Sequence, residues 1–469
     1  MSNTAIASNR FGLGARADDR PVFDAKHGLI AQFDRFEANP AAYASAPKRA
    51  AVANELADYL ETVRNLRMSA DGKDDSAKPA MQAARKVARV AGRDAYVALV
   101  GARMNAALTT PAPFVERLVH FWANHFAVSA DKLTVVGMGG LLEVEAIRPH
   151  VLGKFSDMLL AVEQHPAMLL YLDQAQSVGP DSPIGARVAA RGKRKIGLNE
   201  NLAREIMELH TLGVRNGYTQ ADVTEFARAM TGWTVAGVTR GPMQRFLGNA
   251  APGDFVFVPQ LHQPGDRTIM GRRYASAGEG QAKAVLLDLA AHPATATHIA
   301  TKLARHFTGD VPPPALVERL ADAFRTSGGD LPSIYRVLID APEVWAAKPK
   351  FKSPWDWSVS ALRAIGMTAM EGQQGANMLN QLGQPVWRPG SPAGFGDVDA
   401  TWAGPDALFR RVETAGRLAT RGAGIDARKT AEVVLGGSLT PVTASAISRC
   451  ESPAEGLALM LVSPEFMRR

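Results

Sequence analysis

The chain has 469 residues, 46% of them hydrophobic and 21% charged, the make-up of a soluble globular protein long enough for more than one domain. Its formal net charge of +7 is a modest surplus over that length. It fits a solvated surface, with an anionic partner (nucleic acid, glycan or lipid headgroup) as the alternative. A single cysteine, Cys450, excludes an intrachain disulfide framework and a Cys-based zinc site.

The pattern along the chain is dominantly helical. The N-terminal segment has no apolar run of signal-peptide length, and no window approaches the ~18 apolar residues of a membrane span. A cytoplasmic chain without a transmembrane segment is expected, with export alongside a signal-bearing partner as the other route. Pro21 sits where a first helical turn starts, with Val22, Ala25, Leu29 and Phe33 at helical spacing. A helix is predicted from about 48 to 68, an exposed loop from 69 to 79, and a long Ala/Val helix to about 108. Thr110-Pro111 introduces the next helix, 112–127, which carries Phe114, Leu118, Phe121, Trp122 and His125.

Further helices are predicted near 137–147, 150–164 and 166–174. A basic glycine-containing loop, 185–197, holds Arg187, Arg191, Lys193, Arg194 and Lys195. It has no aromatic interleaving and belongs to no recognisable nucleic-acid module. A polar helix, Asn199–Gly213, follows. Thr219 and Asp222 form a capping start for a helix that ends at Gly232. Residues 244–275 alone look β-like: Phe255–Val258 is expected to pair with Arg267–Tyr274 through a turn holding His262. Helices then resume at 279–291, 293–308, 313–327, 331–340 and 354–366, and again near 405–420, 426–435 and 453–462. The Gly/Pro-rich stretch 382–404 reads as a long loop, and loops of that length usually serve function or motion.

The expected fold is therefore mainly α, a multi-helix globular protein with a small β-hairpin insertion near 250–275. The whole chain, 1–469, is read as one unit. Its sub-units are the N-terminal helices 1–110, the central polar-site helices 111–243, the β insertion 244–275 and the C-terminal helices 276–469.

The motifs now on the page resemble the bacterial family catalogued as domain of unknown function 1800. They are FWANHF (Phe121–Phe126), NENLAREIMELHTLG (Asn199–Gly213), GYTQADVTEFARAMTGW (Gly217–Trp233) and HPATATHIATKL (His292–Leu303). FKSP (Phe351–Pro354), LGQPVWRPGSPAGFG (Leu382–Gly396) and SPEF (Ser463–Phe466) follow in the family's order. The resemblance implies a sulfatase-like partner, encoded nearby, and supplies no reaction. It also marks three departures: Ala123 where relatives commonly have a histidine, Gln263 where they have an acid, and Phe395 where they often have a tryptophan.

Several constellations can carry chemistry. On an α-helix, Asn201, Glu205 and Glu208 share one face at i, i+4 and i+7. Two carboxylates a turn apart bind a divalent cation such as iron or zinc, or divide the roles of acid and base. The expected site lies between helix 112–127 and the helix pair 199–232. Glu205, Glu208, His262 and Arg204 are its catalytic candidates, and His125, Glu205 and Glu208 its metal ligands. Asn201, Trp122, Asn124 and Arg228 are its binding residues. A purely structural network is the competing explanation, since Glu200, Arg204 and Glu208 form a charge ladder and Arg204 and Arg228 can pair with Glu205 and Glu225. His298 and His306, with Lys302 midway, form either a site wall or an ordinary amphipathic face. No nucleotide loop, nucleophile elbow or HExxH is found. The leading expectation is an enzyme, redox or hydrolytic, and its rival is a non-catalytic escort for the sulfatase-like partner.

Helix above ~45% and strand below ~8% are expected, against typical values near a third and a fifth to a quarter. A far-ultraviolet circular dichroism spectrum checks this, and a strand-dominated spectrum contradicts it.

Overall fold

The computed structural model describes residues 2–19, 24–69, 77–190, 197–238, 248–346, 348–422 and 424–469. Among them the chain is 63% helical with two small antiparallel hairpins, a mainly α fold. Pro21 and Val22, the tip of the 69–79 loop and the basic residues Arg191, Lys193, Arg194 and Lys195 lie outside the described residues. Among the described residues no helix is long and apolar enough to cross a membrane.

Local chemistry accounts for most helix boundaries. Proline opens the helices Pro113–His125, Pro293–Thr308, Pro354–Ala364 and Pro405–Arg421, where its missing N–H has no partner to lose. Ser353 caps one of them by accepting from the Asp356 N–H at 3.1 Å. The Thr219–Asp222 capping box forms in full. The longest helices that escape the periodicity argument are Gly372–Gln381 and Pro441–Ser448; the short Asn3–Ile6, Pro342–Ala346 and Asp399–Trp402 escape it too. Each of the first two is rich in Gly, Gln, Ser or Thr, but is capped by Glu371 or Thr440. Residues 183–190, expected to enter the basic loop, are helical instead.

The β region differs from expectation. Phe255–Phe257 (β2) pairs with Trp233–Val235 (β1) rather than with the downstream segment. Arg267–Ile269 (β3) folds back on Arg272–Tyr274 (β4). The reason is the turn: Met270 and Gly271 both take positive φ, 49° and 77°, which closes a two-residue hairpin. Methionine is a weak turn signal, but Asp222 holds the Met270 N–H at 2.6 Å. β2 is drawn to β1 by aromatic contact, with the Trp233 and Phe255 rings 5.1 Å apart.

One hydrophobic cluster runs from Ile6 to Met467 and includes Leu118, Phe126, Ile206, Phe226, Ile299 and Trp357. The Pro113–His125 helix passes through it and is buried along most of its length. Burying that helix also buries charge. Glu116 is 1% exposed and takes a two-pronged contact from Arg148, at 2.6 and 3.1 Å. Arg148 in turn donates to the carbonyls of Ala38 and Glu37. Burial alone would raise the Glu116 carboxyl, but Arg148 and His120 hold it at about 2.

Replacing Glu116 by Gln leaves the Arg148 guanidinium buried without a counter-charge. A loss of about 3–5 kcal/mol is expected, the usual result of breaking a buried pair from one side. Urea unfolding of the variant measures it.

Candidate functional site

The polar helix does not keep the α-helical face read from its sequence. It is α-helical over Asn201–Glu205 and opens into a π turn over Ile206–His210. Asn201 and Glu205 keep the α-helical spacing, and the wider turn displaces Glu208 from the i+7 position. Asn201 is exposed and uses its N–H on the Asn199 side chain at 2.9 Å. Arg204 pairs with Glu200 at 3.3 Å and with Gln220 at 2.8 Å, not with Glu205. Arg228 pairs with Glu225 on its own helix, and Arg267 joins the same carboxylate at 3.2 Å. Glu205 and Glu208 are half-buried. Burial raises the Glu205 carboxyl; His210 opposes this and Glu208 reinforces it.

His125 stands apart from these acids. Glu205, Glu208, His262, Arg204, Asn201 and Arg228 do not line the cavity that His125 lines. Among the described residues no three His, Cys, Asp or Glu side chains are grouped to hold a metal ion, so His125, Glu205 and Glu208 are not brought together as ligands. His262 is buried beside Phe257 and donates from Nδ1 to the Thr231 carbonyl at 2.9 Å. Gln263 bridges to Asp181 through both ends of its amide, at 2.7 and 2.9 Å. Trp122 is a core residue, fully buried, with its indole N–H on the Tyr335 hydroxyl at 2.7 Å.

A cavity of about 440 Å³ opens beside the Pro113–His125 helix, within the size range of small-molecule sites. Four of the quoted motifs build it. FWANHF supplies Ala123, Asn124 and His125, and the Pro293–Thr308 helix supplies His298, Lys302, Arg305 and His306. The FKSP segment supplies Phe351 and Ser353, flanked by Lys350 and Asp356, and the Gly/Pro loop supplies Trp387, Phe395 and Asp397. His298, Lys302 and His306 share a helix face at i, i+4 and i+8, and that face lines the cavity. Trp355 and Trp402 add aromatic surface.

Specific contacts hold these segments in register. Asn124 treats the loop as a strand partner: Oδ1 accepts from the Phe395 N–H at 2.7 Å and Nδ2 donates to its carbonyl at 2.9 Å. Gly394, at φ +79°, permits that approach, since a Cβ there would collide with the Asn124 backbone oxygen. Asp397 accepts from His306 Nδ1 at 2.9 Å and from Lys350 Nζ at 2.7 Å. Asp356 accepts from Arg117 at 2.9 Å and faces Arg469 Nε at 3.1 Å. Phe351 bridges to Arg468 as a short antiparallel contact, which brings the Arg469 side chain to the wall.

The wall is cationic. Six basic side chains line it against two carboxylates, so an anion is favoured inside. Both carboxylates are ionised. Burial would raise Asp397, but His306 and Lys350 hold it well below its ordinary range; Asp356 is held down in the same way by Arg117 and Arg469. His306 is neutral, pushed to about 4 by burial against the pull of Asp397. It donates one N–H to the carboxylate.

Two histidines use the frayed end of the polar helix. His125 Nε2 lies 3.1 Å from the His210 carbonyl and His298 Nε2 lies 3.0 Å from the Leu209 carbonyl. A carbonyl only accepts, so both rings carry their proton on Nε2 and leave Nδ1 as a lone pair. The two rings are 6.1 Å apart. His125 Nδ1 is buried with no hydrogen-bond partner among the described residues. Burial, then the charge of Lys302, lowers both rings, His298 to about 4 and His125 well below its ordinary value. Behind them, His210 Nδ1 meets Glu163 at 2.8 Å, both fully buried.

The sequence reading missed Arg117, Lys350, Asp356, Asp397 and Arg469. One signal was available: Arg117 stands in a mostly apolar helix, and Lys350 and Lys352 flank Phe351 before a proline-opened helix. Buried cations of that kind need acids, and Asp356 and Asp397 are those acids. Two of the three departures from the family pattern, Ala123 and Phe395, line the cavity, while Gln263 does not.

Among known proteins, the family described as "Protein of unknown function (DUF1800)" matches residues 6–468. No curated protein and no solved structure matches the chain.

The neutral histidines set an acid limit on stability. His298 titrates near 6.5 unfolded and near 4 folded, so between those values the unfolded chain binds the extra proton. Stability therefore falls as the pH drops from 6.5 to 4, by up to roughly 3 kcal/mol for this residue. Urea unfolding at pH 7 and pH 4.5 should show the loss, and His298→Gln should reduce it.

Proposed function

We propose, for a chain that belongs to the DUF1800 family, that it is an enzyme performing proton-transfer chemistry on a small anionic organic substrate in the cationic cavity. The observation that carries this reading is His125, a buried imidazole on the cavity wall with an unpartnered Nδ1. Burying a ring nitrogen without a partner costs about 1–3 kcal/mol. His120, His165, His210 and His262 also bury one unpartnered ring nitrogen, but of these five histidines only His120 and His125 line the cavity. Here the partner is supplied when substrate binds.

Charge couples binding to basicity. Lys302 lowers both His125 and His298 while the cavity lacks an anion. A bound anion offsets that charge and restores proton affinity to the imidazoles. Arg305 is the anchor for the anion: it lines the cavity and, among the described residues, meets only the Asp310 carbonyl, at 3.4 Å. The aromatic side chains around it exclude water and accept a planar substrate. His125 and His298 then act as base and acid, and the Leu209 and His210 carbonyls hold their tautomers.

On this reading the site is the cavity rather than the acidic face of the polar helix, with His125 common to both. A divalent metal is not assigned. His125 and His298 have Nε2 committed to carbonyls, His306 gives Nδ1 to Asp397, His120 Nδ1 accepts from Trp355, and the carboxylates Asp397 and Asp356 are engaged by cations.

The test is turnover of an anionic metabolite pool by the purified protein, followed by mass spectrometry. At least one acid should be consumed, and His125→Asn should slow that consumption by about 10²-fold or more, the scale of general acid–base catalysis. If Glu205→Gln or Glu208→Gln abolishes turnover while His125→Asn does not, the site belongs to the polar helix. Capture of a sulfatase-like partner without any turnover would favour the escort role.

A further inference from the structure

We propose that Lys302 is a nucleophilic amine that forms an imine with an oxo acid, a compound carrying a carbonyl beside or near its carboxylate. The inference rests on the cavity being an anion-binding active site and names its substrate class. Lys302 lies on the cavity-facing side of the Pro293–Thr308 helix, one turn from His298 and one turn from His306.

Its surroundings differ from those of the other cavity lysine. Lys350 donates to Asp397 Oδ1 and to the carbonyls of Asp397 and Arg305 at 2.7–3.0 Å, so its ammonium is fully engaged. Lys302 makes no hydrogen bond or ion pair among the described residues. The two carboxylates that line the cavity are already taken, Asp397 by His306 and Lys350, Asp356 by Arg117 and Arg469. A structural lysine would be expected to hold one of them. Its charged neighbours are Asp397, which favours the ammonium, and Arg305, which together with burial favours the free amine. Burial, with Arg305 adding to it, lowers Lys302 to about 8, against resistance from Asp397.

The remaining groups match the reaction. Arg305 takes the carboxylate of the oxo acid. The His298 Nδ1 lone pair accepts the proton that the Lys302 ammonium must lose. The free Nζ pair then attacks the carbonyl carbon, the C=O π pair moves to the oxygen, and a proton passes from the attacking nitrogen to that oxygen to give a carbinolamine. The pair left on nitrogen by that transfer forms C=N as the C–O bond breaks, and the hydroxyl leaves as water with a proton returned by the imidazole. Amine and carbonyl compound give imine and water, with no net oxidation.

The experiment uses glyoxylate as the probe, the smallest oxo acid, with sodium borohydride to reduce any imine to a stable secondary amine. The intact protein is treated near pH 7.5 and mapped by peptide mass spectrometry. Lys302 should be labelled at least about tenfold faster than exposed lysines such as Lys429, because a larger share of it is free amine. Lys302→Arg should lose that adduct and keep the others. Labelling of Lys302 at or below the rate of Lys429 overturns the proposal, and needs only the wild-type protein. Sulfate-induced stabilisation is measured in parallel on wild type and Arg305→Gln. If sulfate stabilises only the wild type but Lys302 is not labelled, the imine fails and the anion site stands. If sulfate does not stabilise the wild type and Lys302 is not labelled, both fail.

Discussion

The half-buried carboxylate of Asp397 is the contact on which the cavity depends. It accepts from His306 on one helix and from Lys350 ahead of another, and it belongs to the Gly/Pro loop. A loop of that composition has no hydrogen-bonded ladder of its own to hold it. Asp397 ties it to two rigid elements at one end, and Asn124 ties it to a third at Phe395. Four segments distant in sequence thereby meet around one space.

That arrangement is costly. Arg117, Asp356, Lys350, Asp397 and Arg469 are placed where water is largely excluded, and each ion removed from water costs several kcal/mol before its partner repays it. Apolar residues of similar volume would hold the same helices together at no such cost. Charges kept under those conditions make sense where a ligand uses the field they create. Of the six cations that line the cavity, Arg103 pairs with Glu143 outside it, and among the described residues Lys302 and Arg305 are the two left without a carboxylate.

Helix ends supply the remaining precision. The π turn at Ile206–His210 leaves carbonyls at Leu209 and His210 without helical partners. His125 and His298 satisfy them, and in doing so each ring has its proton placed on Nε2. The Glu163–His210 contact sits behind this turn and fixes it from within the core. The polar helix thus contributes its backbone to the cavity, while its conspicuous acids face elsewhere.

The sequence by itself determined the helical architecture, most helix starts and the motifs that build the cavity. Apolar spacing, N-terminal prolines and caps such as Ser353 and the Thr219–Asp222 box are local signals, and local signals survive in one dimension. The His298–Lys302–His306 face was legible for the same reason, since i, i+4 and i+8 belong to a single helix. Only the tertiary structure decided which polar residues meet. The Asn201–Glu205–Glu208 face depended on a regular α-helix, and the π turn removed it. The pairing of β1 with β2 depended on the Trp233–Phe255 contact and on Met270 adopting positive φ, neither of which a strand pattern encodes. Asp397 lies 91 residues from its partner His306 and 47 from Lys350. A charge pair of that separation leaves no periodic trace, because its energy exists only after the helices have packed and excluded water.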